Sequence, residues 1–402
     1  LFTCVPLSSQ IIFADKKQPL VCKIKLKIHF NDFQTIYTNN LSKILKKMKQ
    51  VKYLLFVPLS LVLFILSCNK NNSTDDPTTS SGNWVKRAEC DGNARAYAVS
   101  FVIGDTAYIA TGIDGSNVRY QDVWAYDQNK NYWIQKAQFL GSARNSATAF
   151  AVGTKGYIIG GYDGVNRLQD NWQYDQATNK WLQKANLPDV LNAPVGSGAR
   201  YNATGFAIGN FGYVFGGFNG GYTKDFWQYN PATDTWNNSV FPSYGGSKRS
   251  GASVFVYSNK AYIVGGLNNG VAQNDFWVFD PSVPAAPWTQ LRNVSNTSSD
   301  TYDDDYSDII RYNAVALVMN NGTTPKGYLI CGQNGGYTKK TWEYDFASDL
   351  WTRKTTYERA EREGAVAFTV KGRGFVGLGK NSSYFLDDLD EWKPADTYDS
   401  ND

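Results

Sequence analysis

The chain has 402 residues, of which 15% are aromatic and 19% charged, a balance that suits a large β-protein with broad buried faces. Its net charge of +4 is uneven: residues 1–67 hold ten Lys/Arg and two Asp, and the remaining 30 basic and 34 acidic residues leave the body mildly acidic. Nothing in that body suggests nucleic acid as a partner. The one histidine, His29, lies in the leader, so the body has no histidine for acid–base, triad or metal chemistry.

In chain order, residues 1–47 precede the first methionine, Met48, and read as upstream sequence or a misassigned start. Lys49 and Lys52 then form a short basic region, and Tyr53 to Leu66 an apolar run of 14 residues, short for a membrane span. The run ends Ile65-Leu66-Ser67-Cys68, which resembles the lipobox of bacterial lipoproteins. The resemblance implies a signal peptide over 48–67 and lipidation at Cys68. It also implies an extracytoplasmic protein anchored to the bacterial envelope, with the outer membrane as the expected site. Residues 68–82, polar and rich in Ser and Thr, read as a flexible tether. Cys90 and Cys331 are expected to be isolated thiols, although an oxidising compartment permits a bridge.

From residue 83 to 394 one unit recurs six times, followed by an acidic tail over 395–402. Each copy opens with Arg-x-x-Ala, at Arg95, Arg144, Arg200, Arg249, Arg311 and Arg362. A run such as Gly156-Tyr-Ile-Ile-Gly-Gly161 follows, ending at Gly112, Gly161, Gly217, Gly266, Gly332 and Gly379. Thr111 and Cys331 replace the first glycine in copies one and five. Next comes Trp-x-(Tyr/Phe)-(Asp/Asn) at Trp124, Trp172, Trp227, Trp277 and Trp342, with Tyr384 to Asp387 taken as its equivalent in a shortened sixth copy. A trailing tryptophan closes each unit: Trp133, Trp181, Trp236, Trp288, Trp351 and Trp392. Four β-rich runs per unit of about 50 residues predict an all-β, six-bladed propeller with four antiparallel strands per blade.

The glycine pair, the Trp-x-Tyr-Asp run and the trailing tryptophan resemble the kelch repeat. Asn83-Trp84-Val85-Lys86 is an orphan fourth strand, expected to close the ring on blade six, with Trp392 competing for that place. The kelch resemblance brings a copper oxidase, galactose oxidase, into view. The histidine-free body excludes a copper centre of that type. It also brings in a six-bladed sialic acid mutarotase, whose chemistry needs only a carboxylate and a cation beside a sugar acid. Glu361 and Glu363, flanking Arg362, are the residues such a reading would use.

The glycine pairs read as strand ends rather than phosphate cradles, because no helix follows them. The six arginines are placed on the face shared by the strand two-to-three loops and the inter-blade loops. There they hold neighbouring carbonyls and carboxylates or, alternatively, bind an anion. The same loops carry Tyr120, Tyr162, Phe218, Tyr222 and Tyr337 with Asp114, Asp163 and Asn219. Aromatics beside amides and carboxylates can hold a glycan or a protein. The loop 289–310 contains Asp303, Asp304 and Asp305, a weak calcium candidate expected instead to be a solvated acidic loop. The resulting expectation is a non-catalytic module for a glycan or an envelope protein, without a cofactor. Sugar mutarotation and a structural role in an envelope assembly are the alternatives.

Overall fold

The computed structural model describes residues 81–191 and 194–402. The expected upstream segment over 1–47, the expected signal peptide, the expected lipidation at Cys68 and nearly all of the expected tether lie outside the described residues. Within them, six four-stranded antiparallel sheets follow one another in sequence, so the chain is a six-bladed propeller. Blade one is Val99–Ile103, Thr106–Ala110, Val123–Asp127 and Tyr132–Gln135, paired in that order. The inner strands of successive blades touch in a closed cycle, from Val99–Ile103 round to Val366–Val370 and back.

Inner strands alternate buried and half-buried residues, whereas second strands such as Thr106–Ala110 are buried almost throughout. The alternation follows from one face meeting the channel, and the continuous burial from a strand covered by blades on both sides. Blade-to-blade packing explains the first glycine of the Gly-Tyr-Ile-Ile-Gly-Gly run. A side chain on Gly156 would overlap the Phe101 ring of the previous blade, and Gly212 and Gly374 are filled in the same way by Phe150 and Met319. The small residue is the seat for the neighbour's bulky one.

The glycine pair separates into two different requirements. Its first position has φ of +56° to +69°, the left-handed region, and accepts Thr111, Cys331 and Leu378 as well as glycine. Its second has φ of +95° to +103° and is glycine in every blade. A methyl on Gly161 would lie 2.9 Å from Asn145 O and 3.0 Å from the Ala147 Cβ. The recurrent alanine of Arg-x-x-Ala is thus the surface against which the second glycine packs. Every second glycine also donates its N–H to the carbonyl of the next blade's arginine, at 2.7–2.9 Å, including Gly379 to Arg95 across the junction.

A second ring lies inside the first. Tyr97, Ser146, Asn202, Gly251, Asn313 and Gly364, each two residues after an arginine, all have φ between +50° and +61°. Each N–H donates to the carbonyl of its counterpart in the preceding blade, at 2.7–3.2 Å, so six amides form a closed head-to-tail collar around the axis.

Closure uses Trp84, as the sequence suggests. Ser81–Arg87 is the outer strand of blade six and pairs with Leu389–Thr397, with Trp84 opposite Trp392. The strand starts two residues before the expected boundary, and its partner extends into the expected acidic tail. One expectation fails here. Tyr384 to Asp387 is not the third strand, and blade six is not shortened. Leu389–Thr397 holds that place, Asp388 stands where blades one to four have the acid before their tryptophan, and Asp390 replaces the tryptophan itself. Cys90 and Cys331 are free buried thiols.

Candidate functional site

The six arginines are buried to 0–1% exposure, which speaks for the carbonyl- and carboxylate-holding role expected first and against the alternative of an anion-binding ring at the channel mouth. Arg144 shows why. Its Nε donates to Ser142 O at 2.8 Å, its Nη1 to Gly160 O at 3.0 Å, and both Nη groups meet Asp170 at 2.5 and 2.7 Å. Arg95, Arg200, Arg249 and Arg362 repeat this with Asp122, Asp225, Asp275 and Asp388. Each guanidinium therefore ties strand one to the carbonyl of the left-handed turn and to the start of strand three, and no donor faces a ligand. Arg311 is the exception in partner, not in place. Lys340 stands where the acid should be, and Arg311 donates instead to the carbonyls of Ile309, Cys331, Lys340 and Asp308. Burial without a carboxylate pushes it down to about 10.

Above this layer each blade carries a small three-stranded element built from equivalent positions. The residue after the arginine bridges the residue after the second glycine, and in every blade that residue bridges the returning arm of the strand two-to-three loop. The triads are Ala96, Ile113 and Arg119 in blade one, then Asn145, Tyr162 and Arg167, then Tyr201, Phe218 and Tyr222. Blade four has Ser250, Leu267 and Ala272, blade five Tyr312, Gln333 and Tyr337, and blade six Glu363, Lys380 and Phe385. The framework is six-fold and its chemistry is not, which is how a propeller face becomes specific.

Two arcs face each other. On blades two and three the rings of Tyr162 and Tyr201 lie 5.9 Å apart, Tyr201 and Phe218 5.3 Å, and Phe218 and Tyr222 5.3 Å. Arg119 lies 5.2 Å over Tyr162, held by Asn145 at 2.8 Å, and exposed Arg167 makes no ion pair among the described residues. On blades five, six and one, Glu363 is only 3% exposed. Its Oε2 accepts from Asn313 Nδ2 at 2.8 Å and from Gln333 Nε2, and Lys380 Nζ lies 3.6 Å from Oε1. Burial, then Glu363 and a hydrogen bond to it, push the Tyr97 phenol well up. Burial, Glu363, Tyr222 and Tyr337 do the same to Tyr312. The two arcs thus meet across the axis in a bowl of tyrosine hydroxyls with Glu363 and Lys380 on one wall.

Of the residues singled out from sequence, Tyr162, Phe218, Tyr222, Tyr337 and Glu363 come together here. Tyr120 does not. It lies at the outer rim, with its ring 4.2 Å over Arg95 and its hydroxyl donating to Asp114 at 2.5 Å. Asp163 caps its own loop through the N–H groups of Val165 and Asn166, and Asn219 bonds the Ser197 carbonyl. Glu361 is exposed and Arg362 is committed to Asp388. The acidic loop does not converge. Asp303 turns inward to the N–H groups of Thr297 and Ser298, Asp304 takes Asn296, Asp305 is exposed, and no metal-binding cluster exists among the described residues. Sequence reasoning missed Tyr97, Tyr201, Tyr312, Arg119 and Lys380. Their fixed offsets from arginine and glycine were the available signal.

The KLHDC2/KLHL20/DRC7 Kelch-repeats domain matches residues 77–266 and 191–304. The chain belongs to the Kelch-repeat family. Among solved structures this Kelch propeller is similar to that of YjhT, at 17% identity and a TM-score of 0.60, over 75% of this chain and 95% of that one. That likeness concerns the fold alone. No curated protein matches the chain.

Proposed function

We propose that this Kelch propeller is a non-catalytic recognition module that binds a glycan in the tyrosine bowl over the collar. The observation that carries the reading is the set of triads. At equivalent positions around one axis, blades two, three and five present Tyr162, Tyr201, Phe218, Tyr222, Tyr312 and Tyr337 beside Arg119, Arg167 and Lys380. Rings supply stacking faces for sugar C–H surfaces, and phenols, amides and cations supply directional bonds. The lipobox-like segment ending at Cys68 supports placing the module outside the cytoplasm on a lipid anchor. A glycan array on the full chain tests the proposal. Tyr201→Ala and Tyr312→Ala are each expected to weaken the best glycan about tenfold. Retention of binding in both variants refutes it.

One observation favours a second reading, sugar-acid mutarotation. The buried Glu363 carboxylate, held by Asn313 of the collar, lies next to Lys380 and Tyr97, where a base and a cation could act on an anomeric centre. Anomer exchange of sialic acid followed by NMR decides it. Exchange that disappears in Glu363→Gln supports catalysis, and no exchange above the uncatalysed rate removes this reading.

A further inference from the structure

The connection from blade four to blade five is enlarged. Trp288 and Arg311 lie 23 positions apart, where Trp133 and Arg144, or Trp351 and Arg362, lie 11 apart. Part of the insertion serves the scaffold. Tyr306, at the start of the 3-10 turn Tyr306–Ile309, meets Trp342 edge-on at 6.1 Å. Its hydroxyl accepts from Trp351 N at 2.7 Å and donates to Trp351 O at 3.2 Å. None of these contacts uses Arg292 or the preceding turn, Thr301–Asp303.

Arg292, Tyr302 and Asp303 instead line a cavity of about 320 Å³, together with Leu291, Asn293 and Tyr306. Its size is at the lower end for small-molecule sites, roughly 300–1,000 Å³. The cavity holds two opposite charges that are not joined. Asp303 is 2% exposed, and its Oδ2 accepts from Thr297 N at 2.9 Å and Ser298 N at 2.8 Å. Its Oδ1 is buried with no hydrogen-bond partner, and an open buried acceptor in a folded protein requires a cause. The Thr297 N–H, then the Ser298 N–H and the Arg292 charge, hold the carboxyl below its ordinary range against burial, so it is ionised at neutral pH. The Arg292 side chain is 50% exposed, with Nε 3.6 Å from Asp349 Oδ2 and the guanidinium 5.4 Å over the Tyr302 ring. Its Nη groups donate to no acceptor among the described residues, and no ion pair joins Arg292 to Asp303.

We infer that this cavity binds a small zwitterion, an α-amino acid, with its ammonium on Asp303 Oδ1, its carboxylate on the Arg292 guanidinium and its side chain against the Tyr302 ring. A charged donor is the strongest partner for a carboxylate oxygen, and a guanidinium fork is the matching partner for a carboxylate. The ring supplies an apolar face. Other ligand classes each leave one charge opposed or unmet. An anion meets Asp303, a simple amine meets Arg292, and a neutral sugar offers a counter-charge to neither. No cluster of three metal-binding side chains exists among the described residues. The site lies on the inter-blade insertion and does not depend on the reading of the tyrosine bowl.

An NMR titration of the full chain tests this with leucine and phenylalanine, their N-acetyl and methyl ester forms, and methyl glucoside as the neutral control. At least one of the two amino acids is expected to bind. Its N-acetyl form, which lacks the ammonium, and its methyl ester, which lacks the carboxylate, are each expected to bind about tenfold more weakly. Arg292→Gln, at an exposed position, should weaken the amino acid about tenfold and leave the ester unchanged. Asp303→Asn keeps an oxygen for the two loop N–H groups; it should weaken the amino acid about tenfold and leave the N-acetyl form unchanged. Tyr201→Ala, in the bowl, should change none of these affinities. The inference is overturned if neither amino acid binds, if the N-acetyl or ester form binds as tightly as its parent, if Arg292→Gln binds the amino acid as well as the unaltered chain does, or if methyl glucoside binds more tightly than both amino acids.

Discussion

Removing the carboxylate under one ring arginine puts the account of the repeat to a quantitative test. In Asp170→Ala the Arg144 bonds to Ser142 O and Gly160 O survive, but two Nη donors lose their acceptors in a site where the guanidinium is fully buried. Trp172 Nε1, which donates to Asp170 at 2.7 Å, loses its acceptor as well. Breaking a buried pair from one side costs about 3–5 kcal/mol. Asp170 is 19% exposed, so water reaches the vacancy and the lower end, about 3 kcal/mol, is expected. Blade five supplies the converse. Arg311 is buried with only carbonyls around it, and it stays charged below about 10 at a cost to the folded state that is fully present at every pH below that value. Lys340→Asp places a carboxylate where the other blades have one. It gives up the Lys340–Asp308 ion pair, which is partly exposed and of small worth. A net gain of about 1–2 kcal/mol is expected. Urea unfolding followed by tryptophan fluorescence reads both variants. A loss below about 1 kcal/mol for Asp170→Ala, or a loss of that size for Lys340→Asp, refutes the assignment of the arginines to the scaffold.

Three further outcomes follow from the same geometry. Gly161→Ala, at φ +103° with Asn145 O 2.9 Å from the added methyl, is expected to cost about 3 kcal/mol or more, while Gly153→Ala, in open space, costs about 1 kcal/mol; unfolding midpoints distinguish them. Against burial, hydrogen bonds from Arg200 hold the Asp225 carboxyl below its ordinary range, so its contribution is present at neutral pH and is lost as pH falls below about 4 through the folded value. Asp225→Asn should flatten that part of the acid stability profile, and an unchanged profile counts against the assignment. Trp84→Ala empties a side chain 1% exposed at the closure, with an expected cost of about 3–5 kcal/mol in thermal unfolding. A loss under about 1 kcal/mol means that the Ser81–Arg87 strand is dispensable to closure.

The propeller was legible because strand pairing repeats with a period that aromatic and glycine residues mark. The role of the arginines was legible in kind, as holders of carbonyls and carboxylates, but their partners were not, since Asp122, Asp170, Asp225 and Asp275 sit two residues before each tryptophan, in a position that reads as ordinary loop polarity. Blade six was misaligned for a related reason. Asp390 stands where its tryptophan should be, and the aromatic pair Tyr384-Phe385 offered a false match. The bowl was half legible. Tyr162, Phe218, Tyr222 and Tyr337 follow glycine pairs in visible loops, whereas Tyr201 and Tyr312 are adjacent to them only through bridges that no local pattern announces.

The closing strand also fixes a direction. Arg87 pairs with Leu389 near the glycine turns, and Ser81 pairs with Thr397 at the far end of the blade. Ser81 therefore sits on the side of the disc opposite the tyrosine bowl. A label attached at Ser81 leaves the tyrosine-bearing side uncovered.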